Sequence, residues 1–443
     1  MRSKQTQEGQ LCFLAPTLKE QLNPKESLYK LSDSINWNYF EEEFSCYYSE
    51  EGRPAKRIRL MVGLMLLKSL ENLSDEVLVS RWVLNPYYQY FCGETHFQWE
   101  LPIDPSDLTY FRKRLGKDGV EKIFKESVLI HGDKALESEV IIDSTVQEKN
   151  ITYPVDSKQH VKIINNCAKI AKKENIKQRR SYLRTIGKLR LELRGSTTVH
   201  GKKRKKRAQR MLKTIAGRVV RELERKLLVD QLKGHQAKLN IYNAFLKQEK
   251  LSKNKIYSLH ETSVACYAKG KESKRYEFGS KASIVTTKTT GIIVGVLNYS
   301  ESIHDSRTIE ESLNVATKIT GLRPTLCIGD QGYNGKHQIS NTKILTTKSS
   351  KKDLSVKELK TRQTNLNRRS SIEPIISHLK TDHRLKRNFL KGILGDSINL
   401  LMAACAFNLK KWINNIIFAK SFDRIYVFFL FFQRYFRPIG IFR

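Results

Sequence analysis

Apolar positions change their period several times along the chain, and the changes divide it. Ile58, Met61, Val62, Met65, Leu66 and Leu70 recur at helical spacing. They predict a helix with one apolar stripe and basic residues at its start. Ser74 is placed to cap a second helix through Val77, Leu78 and Trp82, after the short Glu71-Asn72-Leu73 link. Such a pair fits a helix-turn-helix and equally any small helical bundle. A further helix is expected after Ser106, turning Arg112, Lys113 and Arg114 outward. Residues 1–135 therefore read as an all-helical N-terminal domain.

Glu139-Val140-Ile141-Ile142-Asp143 breaks that period with a short apolar run ending in a carboxylate, as a buried strand does. From 157 to 255 the helical period returns through Ile215, Val219, Val220, Leu223, Leu227 and Leu228, which predicts a structured helical insertion. Beyond it, 282–287 and 291–297 predict a hairpin bridged by Thr289-Thr290-Gly291. A helix over 307–319 capped by Ser306, a strand over 325–328 leading to Gly329-Asp330, and a strand over 343–347 follow. Two helices close the pattern, one from about Ser371 and one from about Asp396 to Phe418. This order predicts a mixed α/β core over 136–418. Residues 419–443 differ. The run Ile425-Tyr426-Val427-Phe428-Phe429-Leu430-Phe431-Phe432 is β-prone. It reads as an edge strand or as translated sequence beyond an original stop.

Charge adds a partner to this outline. Lys and Arg total 80 against 45 Asp and Glu, a net charge of +35. The insertion alone holds 30 Lys or Arg against 6 Asp or Glu, so most of the excess sits there. Its peak, Gly201-Lys202-Lys203-Arg204-Lys205-Lys206-Arg207, is expected to be an exposed loop between helices. A cation of this size attracts polyanions, nucleic acid foremost. A solvated basic surface, or attraction to a membrane surface, is the plainer alternative. The 7 cysteines lie far apart with no C-x-x-C pair, which argues against a zinc ribbon and a disulfide framework and fits a reducing cytoplasm. Cys327 and Cys405 lie in apolar runs and are expected to be buried. Met1-Arg2-Ser3-Lys4-Gln5 leads into no apolar segment, so no signal peptide is read. The run 425–432 is too short to span a bilayer. P-loop, G-x-G-x-x-G and H-E-x-x-H motifs are absent from the sequence.

Candidate chemistry comes from carboxylates at element ends. Asp143 follows Val140-Ile141-Ile142, and Asp330 follows Leu326-Cys327-Ile328. Glu373 stands in Arg369-Ser370-Ser371-Ile372-Glu373-Pro374, with Ser371 as a cap and Pro374 tolerated in the first turn. Lys380, seven residues on, returns to nearly the same face. Arg369 shares that face only if the helix begins earlier, which Pro374 resists. Two strand-end acids and one helical acid are what a pair of hard divalent cations requires. Singly, each is also an ordinary turn former, cap or helix-dipole partner. His304-Asp305-Ser306 reads as a helix cap, with a role near the active site as the alternative. Tyr333 and Asn334 read as DNA neighbours, and His378 and His383 as phosphate neighbours or surface.

Four stretches carry a family resemblance. They are Phe91-Cys92-Gly93 through Leu101-Pro102-Ile103-Asp104-Pro105-Ser106, then Val140 through Ile151 around Asp143, then Gly329-Asp330-Gln331-Gly332-Tyr333, and finally Arg369-x3-Glu373-x6-Lys380. From about Ala55 to Leu409 the chain resembles the DDE transposases of bacterial insertion sequences, in particular the insertion-sequence-five group. The resemblance implies an RNase H-like catalytic core with a long helical insertion. It implies two Mg²⁺ or Mn²⁺ ions on Asp143, Asp330 and Glu373, with Arg369 and Lys380 as auxiliary DNA contacts. The expected partners are double-stranded DNA, both terminal inverted repeats and target, and a second copy of the chain in a homodimeric DNA complex. The expected location is cytoplasmic and nucleoid-associated, with no membrane. Lys202, Lys203, Arg204, Lys205, Lys206 and Arg207, with Arg112, Lys113 and Arg114, are the remaining candidate DNA contacts. Cut-and-paste transposition is the activity implied. A decayed DNA-binding remnant and a plain nuclease are the alternatives. One position departs from the family pattern, Leu366 standing where a Tyr is expected, and similar proteins end soon after the closing helix.

Overall fold

The Val140-Ile141-Ile142 run does form a strand, and the sheet is ordered around it. The computed structural model describes residues 16–48, 51, 54–194, 198–249, 252–253, 255–268, 275–349 and 355–435, with the backbone alone over 418–435. The strands are β1 (Glu139–Lys149), β2 (Ala265–Ala268), β3 (Tyr276–Thr287), β4 (Ile293–Tyr299), β5 (Leu326–Ile328), β6 (Gln338–Ile339), β7 (Thr342–Leu345) and β8 (Arg387–Asn388). β1 lies between β3 and β5, β7 follows β5, and β6 follows β7. β4 pairs with β3 and β8 with β1. β5 is parallel to both β1 and β7, whereas β3–β4 and β6–β7 are antiparallel. The mixed sheet is as the pattern predicts. Val140, Ile141, Ile142, Cys327 and Ile328 are all buried, as short unbroken apolar runs in an α/β sheet should be. The expected hairpin is present, and Gly291 takes a left-handed φ of 63° in its turn.

The chain divides into two compact units. One comprises Met1–Glu148, Lys281–Tyr299 and Ile303–Arg443, and the other Lys149–Ser280 with Ser300–Ser302. In the first, residues from the N-terminal helices and from the sheet share one hydrophobic core. The Ile58–Leu70 helix is not striped. Leu60, Gly63, Leu64 and Leu67 are buried as well as the predicted Ile58, Met61, Val62, Met65 and Leu66, because helices surround it, while Leu70 is half-buried. Ser74 does cap the next helix, accepting from the Val77 N–H at 3.3 Å. The Pro105–Leu129 helix begins earlier than expected, capped by Asp104, and breaks at Gly116, whose φ is 63°.

Arg112 corrects the outward reading of that helix. It is buried and grips Asp75 with both Nη atoms, at 3.1 and 2.6 Å, while Lys68 reaches the same carboxylate at 2.7 Å. Lys113 and Arg114 do face solvent. Burial, with the Arg112 charge beside it, pushes Lys68 down to about 8. Burial opposes the Asp75 charge, but its two cationic partners outweigh that and hold its pKa below the usual value.

The long closing helix, Gly392–Tyr435, packs on the Pro105–Leu129 and Ile58–Leu70 helices and on β4. Its Gly392–Ile417 part is long and apolar enough to cross a membrane, but it is mostly buried inside the fold. The 425–432 run lies within this helix and is not an edge strand. Residues 436–443, like Cys12 and the N-terminal Met1-Arg2-Ser3-Lys4-Gln5, lie outside the described residues. The six described cysteines are unpaired, with Cys327 and Cys405 buried as expected.

The second unit has its own core, built from Ile163, Cys167, Leu212, Val220, Leu223 and Leu239 among others. It contains the helices Asp156–Lys173, Leu183–Leu193, Val199–Lys226 and Val229–Lys247. The basic run 202–207 is not a loop but part of the Val199–Lys226 helix. Lys202 through Arg207 are exposed there, while Ala208, Leu212, Ala216 and Val220 bury the opposite side.

Asp75→Ala would leave Lys68 and Arg112 buried without their counter-charge. It is expected to cost about 3–5 kcal/mol, whereas Lys113→Ala changes stability by less than about 0.5 kcal/mol. Urea midpoints of the two variants test this, and equal midpoints would show that the trio carries no weight.

Candidate active site

Parallel pairing sets the site. Val140 is opposite Cys327 and Ile141 opposite Ile328, so Asp143 and Asp330 follow at the same end of neighbouring strands. Only β5 ends there. β1 runs on to Lys149, so Asp143 lies within its strand and not at its exit, as the sequence had suggested. Both acids are half-buried. The Ser144 N–H donates to Asp143 Oδ1 at 2.7 Å. Burial nevertheless pushes the Asp143 carboxyl up to about 6, with the charges of Asp330 and Asp305 adding to the rise and Arg369 opposing it. Asp330 Oδ1 accepts from the Gly332 N–H at 2.8 Å and caps the turn Gln331–Tyr333.

Asp305 belongs to this acidic group, although its sequence setting favours a cap over a place near the active site. Its Oδ1 accepts from Ser144 Oγ at 2.7 Å and from Lys281 Nζ at 2.9 Å. His304 does the capping, accepting from the Ser306 N–H at 3.3 Å. The following helix, Ile309–Thr320, starts from Thr308 and not from Ser306. Tyr333 is fully buried and does not face DNA, while Asn334 is exposed. Burial, then the charges of Asp305 and Asp143, raise its phenol well above the usual value. No local pattern could have found Asp305, because its partners come from β1 and β3.

Glu373 is exposed and stands apart from these acids, paired with Arg369 at 3.3 Å. Arg369 in turn exerts its charge on Asp143. The two share a face because the helix does begin earlier. The Val356–Arg368 helix runs through the turn Arg369–Ser371 into Ile372–Thr381, and Ser371 has helical backbone and no capping bond. Pro374 at the third position of that last segment costs no internal hydrogen bond. Lys380 lies half-buried farther along it. Leu366 packs against the core. His378 is exposed and pairs with Asp382 at 2.8 Å, whereas His383 is buried against the Ser69 carbonyl at 3.1 Å, so it is neither surface nor phosphate neighbour. Among the described residues no three acids or histidines are gathered closely enough to grip one ion. The structure thus sets Asp143, Asp330 and Asp305 within one another's electrostatic reach without gathering them around one point, and pairs Glu373 with Arg369.

Two protein families match the sequence, a transposase domain (DUF772) over residues 16–114 and a transposase DDE domain over residues 245–409. The chain belongs to the DDE transposases. The DDE match includes Asp305, Asp330 and Glu373, while Asp143 lies between the two matched segments. The transposase is also 43% identical over 189 residues to an uncharacterized protein of Rhizobium meliloti, ORF8 in the nfe locus, a match covering 42% of this chain and 91% of that protein. No solved structure matches it. Its mixed sheet is the RNase H-like core of a polynucleotidyl transferase or endonuclease. Transposases of this family act on DNA and generally use divalent metal ions. The residues present fit that requirement in kind, since carboxylates are hard oxygen donors of the sort Mg²⁺ and Mn²⁺ take.

A carboxyl raised from 3.8 to about 6 binds more protons in the folded chain than in the unfolded one between those pH values. Its ionisation therefore costs stability as pH rises through about 6, and the cost persists above. Asp143→Asn is expected to raise the metal-free Tm by roughly 2–4 °C near neutral pH. The gain should vanish below about pH 4, where both forms are protonated. Melting curves across pH decide this, and a pH-independent difference would contradict it.

Proposed function

We propose that this transposase catalyses cut-and-paste DNA transposition, hydrolysing phosphodiester bonds at element ends and joining the freed 3′-OH to target DNA. The observation that carries the reading is the placement of Asp143 beside Asp330, with burial raising the first. Asp143 and Asp330 would hold two Mg²⁺ or Mn²⁺ ions, with Glu373 as the third protein ligand. Bound ions of this kind activate the attacking oxygen and stabilise the leaving one. Glu373 reaches the acids once Arg369 exchanges its carboxylate for a DNA phosphate, which a guanidinium grips bidentately. Lys380, on the same helical run, is a second phosphate contact. Residues 1–135, through Lys113 and Arg114, and the exposed lysines and arginines at 202–207 add grip on double-stranded DNA at the terminal inverted repeats and target. Arg112 acts there only through the fold. An element has two ends, so two copies of the chain work together in the DNA complex, and the location is the cytoplasm, at the nucleoid.

In a nicking assay on DNA carrying the element's ends, Asp143→Asn, Asp330→Asn and Glu373→Gln should each lose more than about 100-fold in Mg²⁺-dependent rate. That exceeds the 10–100-fold typical of a supporting partner. DNA retention should survive in all three. Undiminished nicking by Asp143→Asn would remove it from the site. The exposed pairing of Glu373 also favours a second reading, a DNA-binding remnant, for which the parent chain itself binds ends but never nicks them.

The Val199–Lys226 helix makes a separate test. Lys203, Lys206, Arg207, Arg210 and Arg218 line one groove along it, a stripe of about 22 Å at 1.5 Å per residue. Replacing Lys203, Lys206 and Arg207 by Gln should weaken DNA binding. It should also flatten the slope of log K against log salt by up to about 0.9 per contact. An unchanged slope would move the phosphate contacts elsewhere.

A further inference from the structure

We propose that Asp305 is a fourth acid of the ion site, with the Tyr333 hydroxyl facing the bound ion's hydration water. This rests on the metal-dependent reading above and adds to it a residue outside the Asp143, Asp330 and Glu373 set.

Asp305 opens a short turn, Asp305–Arg307, but its carboxylate does not cap it, because His304 does. The carboxylate is instead turned inward. Ser144 Oγ, next to Asp143, and Lys281 Nζ, from β3, both donate to Oδ1. Lys281 is itself fixed by the Ile303 carbonyl at 2.6 Å. Oδ2 has no donor among the described residues. It lies 3.0 Å from the point where a Cβ on Gly332 would stand, and Asp330 Oδ1 lies 3.0 Å from the same point. The two carboxylates therefore flank one small space, kept open because residue 332 has no side chain.

Tyr333 supplies the independent observation. It is 0% exposed, and its hydroxyl meets no partner at hydrogen-bond geometry among the described residues, the nearby Ser144 hydroxyl being given to Asp305. The hydroxyl lies within the fields of Asp305, Asp143 and Asp330. Buried hydroxyls are almost always satisfied by protein or ordered water. An ion-bound water among the three acids is a donor and neighbour of the right kind for this phenol. The lysine beside Oδ1 balances part of the negative charge while leaving Oδ2 to close onto the ion as it binds, because without it the acids are not gathered around one point.

Mn²⁺ binding to the full-length protein without DNA, read from the electron paramagnetic resonance of free Mn²⁺ and from the Mn²⁺-induced rise in Tm, tests the assignment. Asp305→Asn should weaken Mn²⁺ binding about tenfold or more. Tyr333→Phe should leave the metal-free Tm unchanged or higher and lose part of the Mn²⁺-induced rise. Asp305→Asn that binds Mn²⁺ like the parent, even with a lower Tm, overturns the proposal and leaves Asp305 as a tether for Ser144 and Lys281. If Asp305→Asn does not fold, Tyr333→Phe decides, and parental Mn²⁺ binding in that variant overturns the proposal. Asp143→Asn separates the two readings. Weakened binding in Asp143→Asn alone sinks only the role of Asp305, while unaltered binding in both variants, or a parent that binds no Mn²⁺, sinks the metal reading as well.

Discussion

Two carboxylates held side by side by strand register repel each other, and much of the surrounding chain exists to tolerate that. The repulsion cannot be relieved by sliding. A one-residue slip of β5 against β1 would break the pairing of Val140 with Cys327 and Ile141 with Ile328 and displace side chains packed within the core. The apolar runs thus fix the charges, and the charges must be balanced from elsewhere. The Ser144 N–H and Arg369 act on Asp143, and Lys281 on the neighbouring Asp305, from three separate stretches of chain. A fold spends stability on such an arrangement only where the charges have work to do.

The parts legible in the sequence were those whose physics is local. A short apolar run before an acid predicts a buried strand with the acid near its end; Asp330 follows that rule, while β1 is buried as expected but continues past Asp143 to Lys149. The hairpin, the Ser74 cap and the buried Cys327 and Cys405 likewise need only neighbours in sequence. What escaped notice was tertiary. Arg112 looks like a surface base on a helix until Asp75 and Lys68 are brought to it. Asp305 looks like a cap until Ser144 and Lys281 turn it inward. Tyr333 follows an acidic motif, yet its ring fills the space beneath Gly329. The basic run at 202–207 suggests a loop by charge alone, but lysine and arginine are good helix formers, and the apolar period from Ala208 onward extends the helix back through them.

Glu373 shows a different limit. Its helix, its exposure and its spacing from Arg369 follow from sequence once Pro374 is seen to fall where no internal N–H bond is required. Its distance from the other acids does not. The ion pair with Arg369 has the ordinary geometry of a helix surface. It is worth little in water, so the acid is held by a weak tie, and a phosphate bound at Arg369 would compete for the same guanidinium. On the proposed function, recruitment of Glu373 as third ligand and the arrival of DNA would be linked through one side chain.

The trio of Lys68, Asp75 and Arg112 has a consequence for the solvent in which the protein is handled. Two cations share one anion, so near neutrality the interior carries a surplus positive charge. Lys68, brought down to about 8 from an ordinary 10.5, gives up its proton in mildly basic buffer, leaving Arg112 and Asp75 as an even match. An unfolded lysine still keeps its proton there. Through this group, moderate alkalinity draws the chain toward its native form and does not loosen it.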